Sequence, residues 1–243
     1  MKKLYTLLLT LCALTYSIAQ TIITDRPDQT ESSSVIQSGS LQIESGFLII
    51  ENHNYEEKKL YLPTTLFRIG LTKKIELRVL NQFEYRLYDT YSLKGFNNIE
   101  FGIKIQLLQK ENIGTELAFL SHIVLPTASN FLNENELSII NKLCVSHKSN
   151  NDISVGYNIG YNHHKNQTGD FIYSLVVGYE INDEINTYIE PYGEIIGFEE
   201  YMSNINMGIT YLVKNNIQLD YSFGTGLNHT FNFMAIGFSI NIF

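Results

Sequence analysis

Past its first residues the chain lacks the raw material for a disulfide scaffold, a zinc module or a membrane-spanning helix. It has two cysteines, no tryptophan and four prolines in 243 residues. Cys12 lies in an apolar leader, which leaves Cys144 alone, so a disulfide framework and a multi-cysteine zinc site are both excluded. Basic charge is also scarce, with 17 Lys and Arg against 25 Asp and Glu. An acidic chain has no sequence-independent hold on phosphate backbones, which excludes nucleic acid as a general partner. No later stretch approaches the ~20 consecutive apolar residues of a spanning helix, so any membrane crossing must be made by strands. Without tryptophan, an aromatic belt at a membrane interface would fall to tyrosine, for example Tyr85, Tyr88, Tyr161, Tyr173, Tyr179 and Tyr211.

What is present begins with a leader. Lys2 and Lys3, an apolar run from Leu4 to Leu14, and Ser17-Ile18-Ala19 before Gln20 have the three-part layout of a secretory signal peptide over residues 1–19. Its removal takes two lysines and no acid, leaving 15 basic and 25 acidic residues, a formal charge of −10. Cys12 makes a poor lipidation site, because Leu11 stands where a small residue is wanted. A polar lead, residues 20–38, follows, and residues 39–243 read as strand after strand with no helical period and no low-complexity segment.

The strand signal is alternation with period two. From Ile75 to Leu87 one phase reads Ile75, Leu77, Val79, Asn81, Phe83, Tyr85, Leu87, and the other Glu76, Arg78, Leu80, Gln82, Glu84, Arg86. The same split recurs in Ile99 to Leu107, in Ile153 to Asn162 and in Ile217 to Gly224. Twelve strands are predicted, starting near residues 40, 60, 75, 96, 113, 137, 153, 171, 185, 203, 217 and 231. Twelve is an even number, and short polar turns alternate with mostly longer connections, as single-chain bacterial barrels require. A secreted β-sandwich would also alternate. Strand parity, turn lengths and the aromatic end at Phe243 favour an all-β transmembrane antiparallel barrel.

Energy fixes the register. A Lys or Arg on the lipid face costs about 2–4 kcal/mol at the bilayer midplane, so the charged phase must face the lumen. The predicted lining is Arg68, Glu76, Arg78, Gln82, Glu84, Arg86, Glu100, Lys104, Glu190 and Asp220. It admits two readings, a polar path that selects solutes by size and field, or paired charges that fill a barrel too narrow to conduct. The polar lead cannot fold alone. Its Asp25, Arg26, Asp28 and Glu31, around the stiffening Pro27, make it a candidate plug or gate, with a loose periplasmic tail as the alternative.

Two stretches, Thr24-Asp25-Arg26-Pro27-Asp28-Gln29-Thr30-Glu31-Ser32 and Gly39-Ser40-Leu41-Gln42-Ile43-Glu44-Ser45-Gly46-Phe47, resemble the MetA-type phenol meta-pathway degradation transporter family of outer-membrane proteins. The likeness continues at Leu62-Pro63-Thr64-Thr65, at Leu125-Pro126-Thr127 and at Gln218-Leu219-Asp220-Tyr221-Ser222-Phe223-Gly224-Thr225-Gly226. Two departures stand out. Ala128 replaces the expected Gly after Leu-Pro-Thr, and Phe243 falls out of phase with Ile236, Phe238, Ile240 and Ile242. The resemblance implies an outer-membrane channel of a Gram-negative bacterium passing small molecules, aromatic or apolar ones among them. A non-conducting structural or surface-interaction barrel is the alternative.

Catalysis has one foothold, the His147-Lys148-Ser149 spacing of a strand-borne His and Ser, placed here at a tight turn; no catalytic residue, cofactor or metal site is predicted. His163-His164 lacks a third ligand, and the pairs Glu56-Glu57, Glu134/Glu136 and Glu199-Glu200 read as solvated loop charge. The expected partners are outer-membrane lipid and lipopolysaccharide, a small-molecule solute and the barrel assembly machinery.

Overall fold

The computed structural model describes residues 21–52, 57–110, 114–129, 132, 137–148, 152–165 and 167–242. The signal-peptide reading, Phe243, Ser149 and the loop acids Glu56, Glu134 and Glu136 lie outside the described residues. The elements are β1 (Leu41–Asn52), β2 (Glu57–Thr72), β3 (Ile75–Leu87), β4 (Ser92–Phe96), β5 (Glu100–Lys110), β6 (Thr115–Val124), β7 (Ser138–Lys148), β8 (Ile153–His164), β9 (Asp170–Glu180), β10 (Ile185–Ile196), β11 (Glu200–Lys214), β12 (Ile217–Gly226) and β13 (Asn232–Ile242). Every pairing is antiparallel between neighbours, and β1 closes the sheet on β13 from Leu41↔Ile242 to Glu51↔Asn232. The sheet thus closes on itself, which is how a barrel satisfies its backbone in a bilayer.

The barrel has twelve staves, one of them broken. The stave expected from residue 96 is split into β4 and β5, which pair with the two halves of β3: Phe83↔Phe96 to Leu87↔Ser92, and Ile75↔Ile105 to Leu80↔Glu100. Residues 127–129 dock against the break. Ser129 N–H donates to Phe96 O (2.9 Å), Thr127 Oγ1 accepts from Ile99 N–H (2.9 Å), and Asn98 Oδ1 accepts from Ala128 N–H (2.9 Å). The connection from β6 to β7 thus replaces the sheet partners that the broken stave gives up there.

Alternation sorts the side chains. Outward are Leu77, Phe101, Phe119, Leu143, Ile159, Leu175, Ile189, Met207, Leu219, Ile236 and Phe238, all exposed on the barrel wall. Inward and buried are Gln42, Glu44, Arg68, Glu76, Arg78, Glu84, Lys104, Asn158, Glu190, Asn206, Asp220 and Ser239. A polar interior inside an apolar exterior inverts a soluble protein and marks a transmembrane-type barrel. Among the described residues no helix is long and apolar enough to cross a membrane.

Candidate functional site

Residues 21–40, before β1, lie inside the barrel. Both ends of this segment sit at the short-turn mouth: Ile22 N–H donates to Asn215 O (2.7 Å) in the β11–β12 turn, and Gly39 N–H to Gly70 O (2.8 Å) near the β2–β3 turn. Gly70 is needed there, because a Cβ would stand 2.0 Å from the Gln37 carbonyl oxygen. Between these anchors the chain loops through the lumen, closed on itself where Ser32 N–H donates to Asp25 Oδ1 (2.7 Å).

The loop engages the wall residue by residue. Glu44 accepts the backbone N–H groups of Asp25 and Arg26 at 3.0 Å. The Arg26 guanidinium pairs with Asp220 at 2.9 Å and lies over the directly paired Gly46 and Gly237, where any Cβ would come within 2.5 Å and 2.4 Å of it. Glu190 accepts Gln29 N–H (2.9 Å) and the hydroxyl of Thr30, and is braced by Asn206. Asn158 accepts Glu31 N–H and donates to Glu31 O (3.1 Å). Ser33 and Ser34 meet Glu116 and Ser146, and Ile36 N–H reaches Glu76 (2.9 Å).

Asp25 holds the centre. Its carboxylate accepts from Lys104 Nζ (3.0 and 3.1 Å) and from Arg78 Nη1, and lies 3.4 Å from Arg68 Nη1. Arg78 also pairs with Glu31 (2.8 Å) and Glu76 (3.1 Å), and Arg68 with Glu76 (2.8 Å) and Glu44 (2.9 Å). Lys142 reaches Glu31 at 3.5 Å. Four cations and four carboxylates therefore form one connected set, and two of the carboxylates come from the segment. Burial works to raise the pKa of Asp25, but the combined attraction of Arg68, Lys104 and Arg78 overrides it and holds the carboxyl well below its usual range. Glu31 is likewise held low, burial being outweighed by Arg78 first and then by the lysines. Asp28 goes the other way, pushed well up by burial and by the nearby Glu190 carboxylate.

Cavities flank the loop. Toward the long-loop mouth a space of about 320 Å³ has Asp25, Arg26 and Glu31 on its floor and Leu66, Leu80, Leu120, Ile140 and Ile172 on its walls. Toward the short-turn mouth a space of about 620 Å³ is lined by Pro27, Asp28, Ser32, Ser33 and Ser34 from the loop. The aliphatic band is unexpected on the inward phase, and it places apolar surface directly above a charged floor.

The candidate residues divide by depth. Arg68, Glu76, Arg78, Lys104, Glu190 and Asp220 all meet the segment's Asp25, Arg26, Glu31 or their neighbours. Gln82, Glu84 and Arg86 form a separate polar group nearer the long-loop mouth, where Arg86 pairs with Glu84 (2.7 Å) and Asn97 bridges Glu84 (2.9 Å) and Gln82. Glu100 binds His122 (2.9 Å), whose other ring nitrogen faces Arg78 (3.1 Å). Asn158, Ser174, Ser146 and Gln106 were not singled out from sequence, although their inward phase was available to find them. His147 is bonded to Thr115 (3.0 Å), and among the described residues no three His, Cys, Asp or Glu side chains gather as metal ligands.

The fold and lumen define a transmembrane β-barrel whose amino-terminal segment is seated inside it. The sequence from residue 24 to 241 matches the model of the family described as "Putative MetA-pathway of phenol degradation", and the chain belongs to that family. Among solved structures, the "KdgM porin in complex with disordered oligogalacturonate" is similar over 82% of this chain and 98% of that one, at 10% identity and a TM-score of 0.60. The "KdgM porin" gives 83%, 98%, 10% and 0.56. At this identity the likeness establishes the barrel and leaves cargo open. A search among curated proteins returned no match.

Proposed function

We propose that the protein is a gated outer-membrane channel of a Gram-negative bacterium, passing small molecules down their gradient, with residues 21–40 as its gate. The observation that carries this reading is the seated segment: it takes hydrogen bonds or ion pairs from most staves, and its chain runs on into β1 at the short-turn mouth. A segment held by polar contacts exchanges protein partners for water when it leaves, so its release costs far less than breaking the sheet. The short-turn mouth then faces the periplasm, as in other bacterial barrels. The aliphatic band above Asp25 and Arg26, together with the family's description, supports solutes that pair an apolar or aromatic body with a polar group. The seat's residues serve as partners in charge pairing.

The density of ion pairs also favours a second reading, a barrel permanently closed by its own segment and serving a structural role. Uptake of small solutes by proteoliposomes separates the two. The channel reading expects swelling in phenol or small sugars above that of protein-free vesicles, increased when the segment is weakened. Swelling equal to that of empty vesicles in every variant supports the closed barrel.

A further inference from the structure

Arg68 and Arg78 stand directly opposite one another across β2 and β3, and Lys104 stands opposite Glu76 on the next stave. Like charges directly opposed on a sheet face repel, and here both guanidinium groups are almost wholly shielded from solvent. The wall supplies Glu44 and Glu76 to this cluster, which is half of what its four cations need. Among the described residues Lys104 and Lys142 make ion pairs only with Asp25 and Glu31, both from the segment. Arg78 carries the two segment carboxylates side by side, Asp25 on Nη1 and Glu31 on Nη2. The arrangement is that of a receptor with two adjacent carboxylate seats, each already filled by a side chain from the same molecule. Across the lumen Glu190 and Asp220 hold the rest of the segment through backbone N–H groups and Arg26, and among the described residues the wall's buried arginines and lysine, Arg68, Arg78 and Lys104, lie on neighbouring staves.

We propose that the arc of Arg68, Arg78, Lys104 and Lys142 is a binding site for small carboxylate solutes, dicarboxylates foremost, which Asp25 and Glu31 occupy as built-in competitors. This rests on the gated-channel reading and adds the ligand class and the means of opening. A dicarboxylate that takes the two seats leaves Asp25 and Glu31 without partners and favours the unseated segment, because a buried carboxylate without a counter-charge is costly. The ligand and the segment compete for one site, so each weakens the other by the same factor. An unseated lumen then presents surplus positive charge on this arc, which favours passage of anions.

The test is titration calorimetry on the folded barrel in detergent, with succinate as probe and succinamide, its uncharged isostere, as control. The D25N/E31Q chain vacates both seats at constant length and should bind succinate roughly tenfold or more tightly than the unaltered chain, an ordinary coupling strength. Succinamide should bind neither. Arg78→Gln added to the double variant should abolish the gain. A chain lacking residues 22–36 serves as a second vacated form, and across a KCl gradient its reversal potential should show preference for chloride. Equal succinate affinity in seated and vacated chains, or equal binding of succinamide, overturns the site. A conducting deletion variant with no chloride preference also overturns it while leaving the channel reading intact. Succinate binding by a vacated barrel that never conducts sustains the site and contradicts the channel.

Discussion

Arg68 and Arg78 face each other across β2 and β3, and Asp25 sits between their guanidinium groups, accepting from Arg78 and 3.4 Å from Arg68. Neither wall arginine could be buried in this pairing without carboxylates, and one of those carboxylates arrives from a part of the chain outside the sheet. Part of the charge compensation of the wall arginines is therefore supplied by the seated segment, beside that of Glu44 and Glu76 from the wall itself.

Asp25→Asn should loosen the segment more than any other single change within it. Removing one partner of a buried ionic cluster costs about 3–5 kcal/mol, which corresponds to roughly a hundredfold or more in the seated-to-unseated ratio. Proteinase K cleavage between residues 21 and 40 should accelerate accordingly in the folded, heat-modifiable barrel. An unchanged cleavage rate would remove Asp25 from its central place.

The outward and inward phases of β3 should respond differently to charge. Val79 lies on the lipid side between Phe67 and Phe101, so Val79→Arg should cost about 2–4 kcal/mol in membrane assembly. Gln82→Arg, on the inward phase, should cost well under 1 kcal/mol. Urea unfolding of the two variants in vesicles measures both, and equal losses would contradict the register.

Gly70→Val should displace the segment at its junction with β1 while sparing the barrel. Its Cβ would lie 2.0 Å from a backbone oxygen, that of Gln37, which cannot swing aside as a side chain would. Proteolysis of the segment should quicken with little change in the urea midpoint of the barrel. A variant as protected as the parent would show that the junction has room to adjust.

Seating should weaken as pH rises from the acid side. The seated segment raises the pKa of Asp28 above its ordinary value of 3.8, so Asp28 stabilises seating below that value and loses the contribution as pH climbs through the raised one. Asp25 and Glu31, held low, give stability above their ordinary values that is lost only as pH falls through the depressed ones. Among the segment's own carboxylates, the slope above the ordinary range thus comes from Asp28. Anisotropy of a fluorophore on Q29C should fall with rising pH, and Asp28→Asn should flatten the curve.

The barrel was legible because membrane strands must alternate, and the alternation here is nearly unbroken from Ile75 to Leu87 and from Ile217 to Gly224. Inward placement of Arg68, Glu76 and Asp220 followed from the same phase argument. The break at residues 97–99 was not legible, since it depends on the docking of Thr127, Ala128 and Ser129, thirty residues further on. Nor could sequence pair Asp25 with Arg68, Arg78 and Lys104. Those contacts depend on how a twenty-residue loop with no period of its own folds inside the lumen, and only the charges at Asp25, Arg26, Asp28 and Glu31 hinted that it would. The aliphatic band of Leu66, Leu80, Leu120, Ile140 and Ile172 emerges only when five staves are brought to one level.

The most direct measurement is single-channel conductance of the refolded barrel in a planar bilayer, with and without residues 22–36. The account predicts a full-length barrel that is mostly closed with rare openings, and a deletion variant that assembles, stays heat-modifiable and conducts persistently. Identical traces from the two proteins, whether both silent or both open, would contradict a segment that gates the lumen.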